Sequence, residues 1–105
     1  MKKYILAYHG GKKFNTPEER TEHMNKWKAW MIGHGDTFVN PGTPVGMSKT
    51  VSAEGVADNG GVNPLMGYSE IQANSMEEAV EIAKGCPTVQ VEGTVEVAEM
   101  MDLKM

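Results

Sequence analysis

Three histidines, one cysteine and a scatter of tyrosines and glutamates are the residues of this chain that could carry chemistry. His23 leads them, because an imidazole titrates near neutrality and can take or give a proton there. The competing reading of His23 is a solvated histidine early in an amphipathic helix, flanked by Glu22 and Asn25. His9 ends an apolar run just before Gly10-Gly11, where backbone can approach a ligand closely; a merely solvated strand end is the alternative. His34, in Gly33-His34-Gly35, reads as a loop residue. Histidine spacings of 14 and 11 residues fit no metal-ligand pattern, so no metal site is expected.

Cys86 could be a nucleophile only as a thiolate with a cationic neighbour. Lys84 is close in sequence, but a helix C-terminus is the wrong end of the dipole for an anion, so an inert buried thiol is expected. Glu70 and Glu96 could form an acid/base pair if their sheet face is enclosed, and merely solubilise it if open. Trp27 and Trp30 read as packing anchors for core and dimer, not as a base-stacking platform. Gly10-Gly11-Lys12-Lys13 lacks the phosphate-loop spacing, and Gly60-Gly61 precedes a strand, not a helix.

Local signals define the elements that must position these groups. Residues 3–9 are apolar on both alternating faces, Tyr4, Leu6 and Tyr8 against Ile5 and Ala7, which predicts a strand covered on both sides. Thr16, Pro17 and Glu19 form a helix start with a capping box, and the helix runs to about Ile32, stopping near Gly33 or Gly35. Along it Met24, Trp27 and Met31 share one face, with His23, Trp27 and Trp30 on the flank. Ser75 and Glu78 repeat the capping device for a second helix, which ends at Gly85 before Cys86-Pro87 breaks away.

Between the helices, Thr37–Asn40 predicts a short strand ended by Pro41-Gly42-Thr43-Pro44. Lys49–Ala57 predicts a weaker strand or hairpin extension, closed by Asp58-Asn59-Gly60-Gly61. Met66–Ala73 alternates well, with Met66, Tyr68, Glu70 and Gln72 opposite Gly67, Ser69, Ile71 and Ala73. Thr94–Met100 is the last strand, Val95 and Val97 on one side and Thr94, Glu96 and Ala98 on the other.

The order β-α-β-β-β-α-β predicts an α+β chain of residues 1–105 forming a single domain: an antiparallel sheet with two helices on one face, a split βαβ arrangement. Ile71, Val95 and Val97 would face the helices, and Tyr68, Glu70, Gln72 and Glu96 the other side.

Composition limits the function classes. Leu, Ile, Val and Phe make up only 19 of 105 residues, and nine Met pad the apolar total. Such a core is thin and rich in a flexible, gap-filling residue. No run approaches the ~20 apolar residues of a membrane span, and Tyr4–Tyr8 is too short for a signal-peptide core, so no membrane partner is expected. The net charge of −4 offers no basic stripe for nucleic acid. A lone Cys forms no internal disulfide, which fits a cytoplasmic home.

Three segments resemble the YCII-related (DGPF) domain family: Lys3-Tyr4-Ile5-Leu6-Ala7-Tyr8-His9-Gly10-Gly11, the helix from Pro17 through His23 to Trp30, and the stretch Gly67–Pro87 followed by Gly93–Val97. The resemblance runs from about residue 3 to residue 101, and is most specific from the second helix through Cys86-Pro87 to Val97. It implies a ferredoxin-like fold that dimerises into an α+β barrel by packing two sheet faces together. It also implies cofactor-free small-molecule chemistry like that of muconolactone isomerases and dehydrochlorinases, or in other members association with sigma factors. In the family a histidine of the first helix, here His23, pairs in some members with an Asp before the Pro after the second helix. Here Cys86 stands at that position, and the Asp-Gly-Pro-Phe run is absent.

Two functions follow as expectations. One is a cofactor-free isomerase- or lyase-like enzyme, with His23 as catalytic acid/base in a cleft lined by His9, Tyr8, Tyr68 and Glu70 and acting on a small organic acid. The other is a non-catalytic ligand-binding or regulatory module. In both, the Met66/Tyr68 face meets the sheet of a second copy, which makes the thin core half of a larger buried structure.

Overall fold

The computed structural model describes residues 1–59, 61 and 63–103. Its elements are β1 (Lys2–Gly10), α1 (Pro17–His34), a 3-10 turn (Gly35–Thr37), β2 (Phe38–Pro44), β3 (Thr50–Ser52), β4 (Gly55–Ala57), β5 (Leu65–Ala73), α2 (Met76–Lys84), α3 (Pro87–Gln90) and β6 (Gly93–Glu99). Four strands form one antiparallel sheet in the order β2-β5-β1-β6. The architecture is α+β, with a strand order compatible with a ferredoxin-like fold.

Both long helices start where their caps lie. Thr16 Oγ1 accepts from Glu19 N–H at 3.1 Å, and Glu19 Oε2 accepts in return from Asn15 N–H at 3.0 Å. Ser75 Oγ accepts from Glu78 N–H at 3.1 Å, and Glu78 reaches back to Asn74. Each exchange satisfies N–H groups that a helix start leaves without partners. The first helix stops at Gly35, whose φ of 51° leaves the helical region.

The register sets which residues share a face. Opposite Tyr4, Leu6 and Tyr8 of β1 stand Ile71, Ser69 and Gly67 of β5 on one side, and Val97 and Val95 of β6 face Leu6 and Tyr8 on the other. This face carries the core: Tyr4, Leu6, Tyr8, Ile71 and Ala73 bury against Trp30 of α1, Ala79 and Ala83 of α2, and Cys86. Ile5, Ala7, His9, Tyr68, Glu70 and Ala98 lie on the opposite face, each only half-buried within one chain. The expected division of β5 and β6 into two faces is therefore present.

Three local expectations need correction. β2 does not end at Asn40 but continues through Pro41 to Pro44, which an edge strand tolerates because its outer N–H groups need no sheet partner. Its register with β5 shifts twice, between Phe38 and Asn40 and between Asn40 and Thr43. Of the two readings of the next segment the hairpin holds: residues 50–57 form an exposed two-stranded hairpin turning at Ala53-Glu54, outside the main sheet. The expected turn at Asp58–Gly61 includes Gly60, which lies outside the described residues. After Cys86 the chain makes one more helical turn, α3, which Pro87 opens at its first position. Finally, Trp30 is the buried residue of α1, whereas Met24 on the expected apolar face is 52% exposed.

Candidate functional site

The helical layer contacts the sheet unevenly, and the site lies where contact is loosest. Trp30 ties the C-terminal half of α1 down, its indole N–H donating to the Ile82 carbonyl of α2 at 3.2 Å. Trp27, one turn earlier, sets its ring edge-on to Tyr8 at 4.7 Å between centroids. Beneath this part of α1 the buried face of β5 offers only Gly67 and Ser69, which are too small to fill the gap. A cleft of about 820 Å³ results, within the range of small-molecule pockets. Its walls are the loop Gly10–Phe14, His23, Met24, Trp27 and Met31 of α1, the Pro41–Pro44 segment, and Met66–Ser69.

The floor of the cleft holds a closed polar relay. Tyr8 O–H donates to Ser69 Oγ at 2.8 Å, and Ser69 O–H donates to the Pro41 carbonyl at 2.7 Å. The bulged segment of β2 presents that carbonyl. Asn40 Oδ1 accepts from Gly42 N–H at 2.9 Å, and Asn40 Nδ2 donates to Glu70 Oε2 at 3.0 Å. Gly42 has φ 73°, and a Cβ there would overlap the Tyr68 carbonyl, so the close approach of β2 to β5 requires glycine. Burial pushes the Tyr8 phenol far above its ordinary range, outweighing the Ser69 hydrogen bond, so Tyr8 is a neutral donor.

His23 stands in the wall. Its ring lies 4.8 Å from Phe14, and the Trp27 indole N–H donates to His23 Nε2 at 2.9 Å. An indole N–H can only donate, so Nε2 holds a lone pair toward it. Burial, then the nearby Lys26 ammonium, lowers the His23 pKa below its ordinary 6.5, favouring the neutral ring.

Of the residues expected to surround His23, only Tyr8 joins it with its side chain. Tyr68 borders the cleft, but strand alternation turns its ring to the opposite sheet face. Glu70 is on that opposite face, engaged by Asn40. His9 is there too, its Nδ1 3.1 Å from the Asn63 carbonyl and its Nε2 3.3 Å from Glu96 Oε1. The expected grouping of His9, Tyr68 and Glu70 with His23 and Tyr8 is thereby corrected: one set lines the cleft, the other the open face. Glu70 and Glu96 are likewise separately engaged and form no carboxylate pair.

Cys86 is fully buried, and burial raises its thiol pKa, which leaves it the inert thiol expected. His34 packs against Trp30 and Phe38, away from the cleft walls. Sequence reasoning did not single out Ser69, Phe14 or the Pro41 carbonyl. The one available signal was Gly67-x-Ser69 on a buried strand face, where small side chains leave a hollow.

Among the described residues no three His, Cys, Asp or Glu gather as a metal would need, and no helix is long and apolar enough to cross a membrane. No family model and no curated protein matches this chain.

Proposed function

We propose that this chain is a ligand-binding protein whose cleft between α1 and the sheet takes a small, largely apolar molecule. The observation that carries this reading is the cleft itself: about 820 Å³, walled by Phe14, Trp27, Met24 and Met31, over a floor whose polar groups are already satisfied. Binding is favoured over acid–base catalysis because the candidate base lone pair, the phenol and the thiol are each engaged or buried. The His23 Nε2 lone pair is occupied by Trp27, the Tyr8 hydroxyl is committed to Ser69, and Cys86 is sealed in the core. The resemblance to the YCII-related family supports a small-molecule role, and it supports a homodimer formed through the open sheet face. The half-buried Ile5, Ala7, Tyr68 and Ala98 on that face add to the dimer reading. A robust monomer on gel filtration at micromolar concentration overturns the dimer.

The binding reading is tested with the apolar fluorophore 8-anilinonaphthalene-1-sulfonate. Saturable binding to the folded protein is expected, and Met24→Trp, which fills the cleft from a half-exposed wall position, should abolish it without unfolding the chain. Unchanged binding by the variant rules out the cleft as the site.

A further inference from the structure

The hydrogen bond between Trp27 and His23 has a consequence for what the cleft recognises. A neutral imidazole has one N–H and one lone pair. With Nε2 accepting from the Trp27 indole, the proton must sit on Nδ1. A protonated ring would instead set an N–H against the indole N–H, so the bond excludes both the other tautomer and the imidazolium. The fit of Phe14 on one side and Trp27 on the other holds the ring in place. Among the described residues no protein group accepts from Nδ1, so the N–H remains available on a residue that lines the cleft.

We propose that Trp27 is a positioning residue that locks His23 as a neutral Nδ1–H donor, and that the cleft thereby selects apolar molecules bearing a carbonyl-type acceptor. This rests on the cleft being a ligand site. A fixed donor in an apolar wall discriminates by the cost of leaving a ligand acceptor or a protein donor unpaired. The other titratable groups bordering the cleft are Lys12 and Lys13 on the loop, Tyr8 on β1 and Tyr68 on β5, whose ring turns to the opposite sheet face; on α1, Lys26 sits close to the ring and pairs with Glu22. The Lys26 ammonium opposes a second proton on the ring, in the same sense as the indole.

Two readouts test this. Long-range proton–nitrogen NMR spectra of the unliganded protein report the tautomer directly. Expected is a single Nδ1–H form of His23 that persists to acid pH, and a mixture with a higher titration midpoint in Trp27→Phe. A wild-type ring protonated at Nε2, or averaged between tautomers, overturns the lock. Binding is then compared for 2-acetylnaphthalene and 2-ethylnaphthalene, which differ by one carbonyl. The acetyl compound should bind on the order of tenfold tighter. His23→Gln, which offers both an acceptor for Trp27 and donors for the ligand but cannot titrate, should keep that preference, and His23→Leu should lose it. Equal affinity of the wild type for both compounds overturns the selection. If neither compound binds, the ligand-site reading fails and the recognition proposal fails with it, whereas the NMR spectrum judges the tautomer lock independently.

Discussion

The two long helices lie on one face of one sheet and begin with the same capping device, yet they cover that face in different ways. On the α2 side, Ala79 and Ala83 bring the helix backbone close, and Ile71, Ala73 and Cys86 are sealed beneath it. On the α1 side, long side chains meet a floor of Gly67 and Ser69, and the helix stands over a cleft. The difference lies in residue size on each side of the contact. Small helix residues over Ile71 and Ala73 close the contact with β5, whereas Trp and Met over glycine and serine bridge a gap. One half of the layer is built for stability, and the other holds a space open.

The largest expected contrast comes from truncating one residue on each side. Ile71→Ala empties a fully buried position and should cost about 3 kcal/mol in urea unfolding. Met31→Ala borders space that already exists and should cost under ~1 kcal/mol. Equal losses would erase the distinction. The helix caps give the next effect. Ser75→Ala should remove about 1 kcal/mol of global stability, because α2 is locked to the core. Thr16→Ala should cost less globally and show instead as faster amide exchange in the first turns of α1. A Thr16→Ala loss as large as that of Ser75→Ala would mean that α1 is as tightly coupled as α2.

The smallest effect depends on pH. His23 binds its proton less readily in the folded chain than in the unfolded one. Its contribution is therefore fully present above about 6.5, the unfolded value, and is lost as pH falls through the lower folded value. The urea midpoint of the wild type should drop slightly more than that of His23→Gln across this window. Parallel curves would show that His23 titrates alike in both states.

The sequence discloses those parts of the fold that rest on contacts within a few residues. Thr16 with Glu19 and Ser75 with Glu78 announce both helix starts, since a cap is satisfied within one turn. Strand alternation separates Ser69 and Ile71 from Tyr68 and Glu70 because the period of two is local. What stays hidden depends on register. Tyr8 and Tyr68 look like natural companions until β1 and β5 pair Tyr8 with Gly67 and Ala7 with Tyr68, which puts the two rings on opposite faces. The passage of β2 through two prolines depends on its edge position and on the Asn40 turn, and neither can be read without the neighbouring strand. The helical turn after Cys86 hides behind a proline that can end one helix or begin another. His23 itself was legible as a candidate, but its state was not, because that depends on Trp27 donating to one ring nitrogen.

The direct measurement is a nitrogen–proton NMR titration of the full chain with 2-acetylnaphthalene. Saturable shifts confined to Phe14, His23, Ser69 and the Trp27 indole N–H, with Ala79, Ala83 and Cys86 unmoved, are the expected result. Shifts spread evenly over both helices, or none at saturation, would contradict a ligand site between α1 and the sheet.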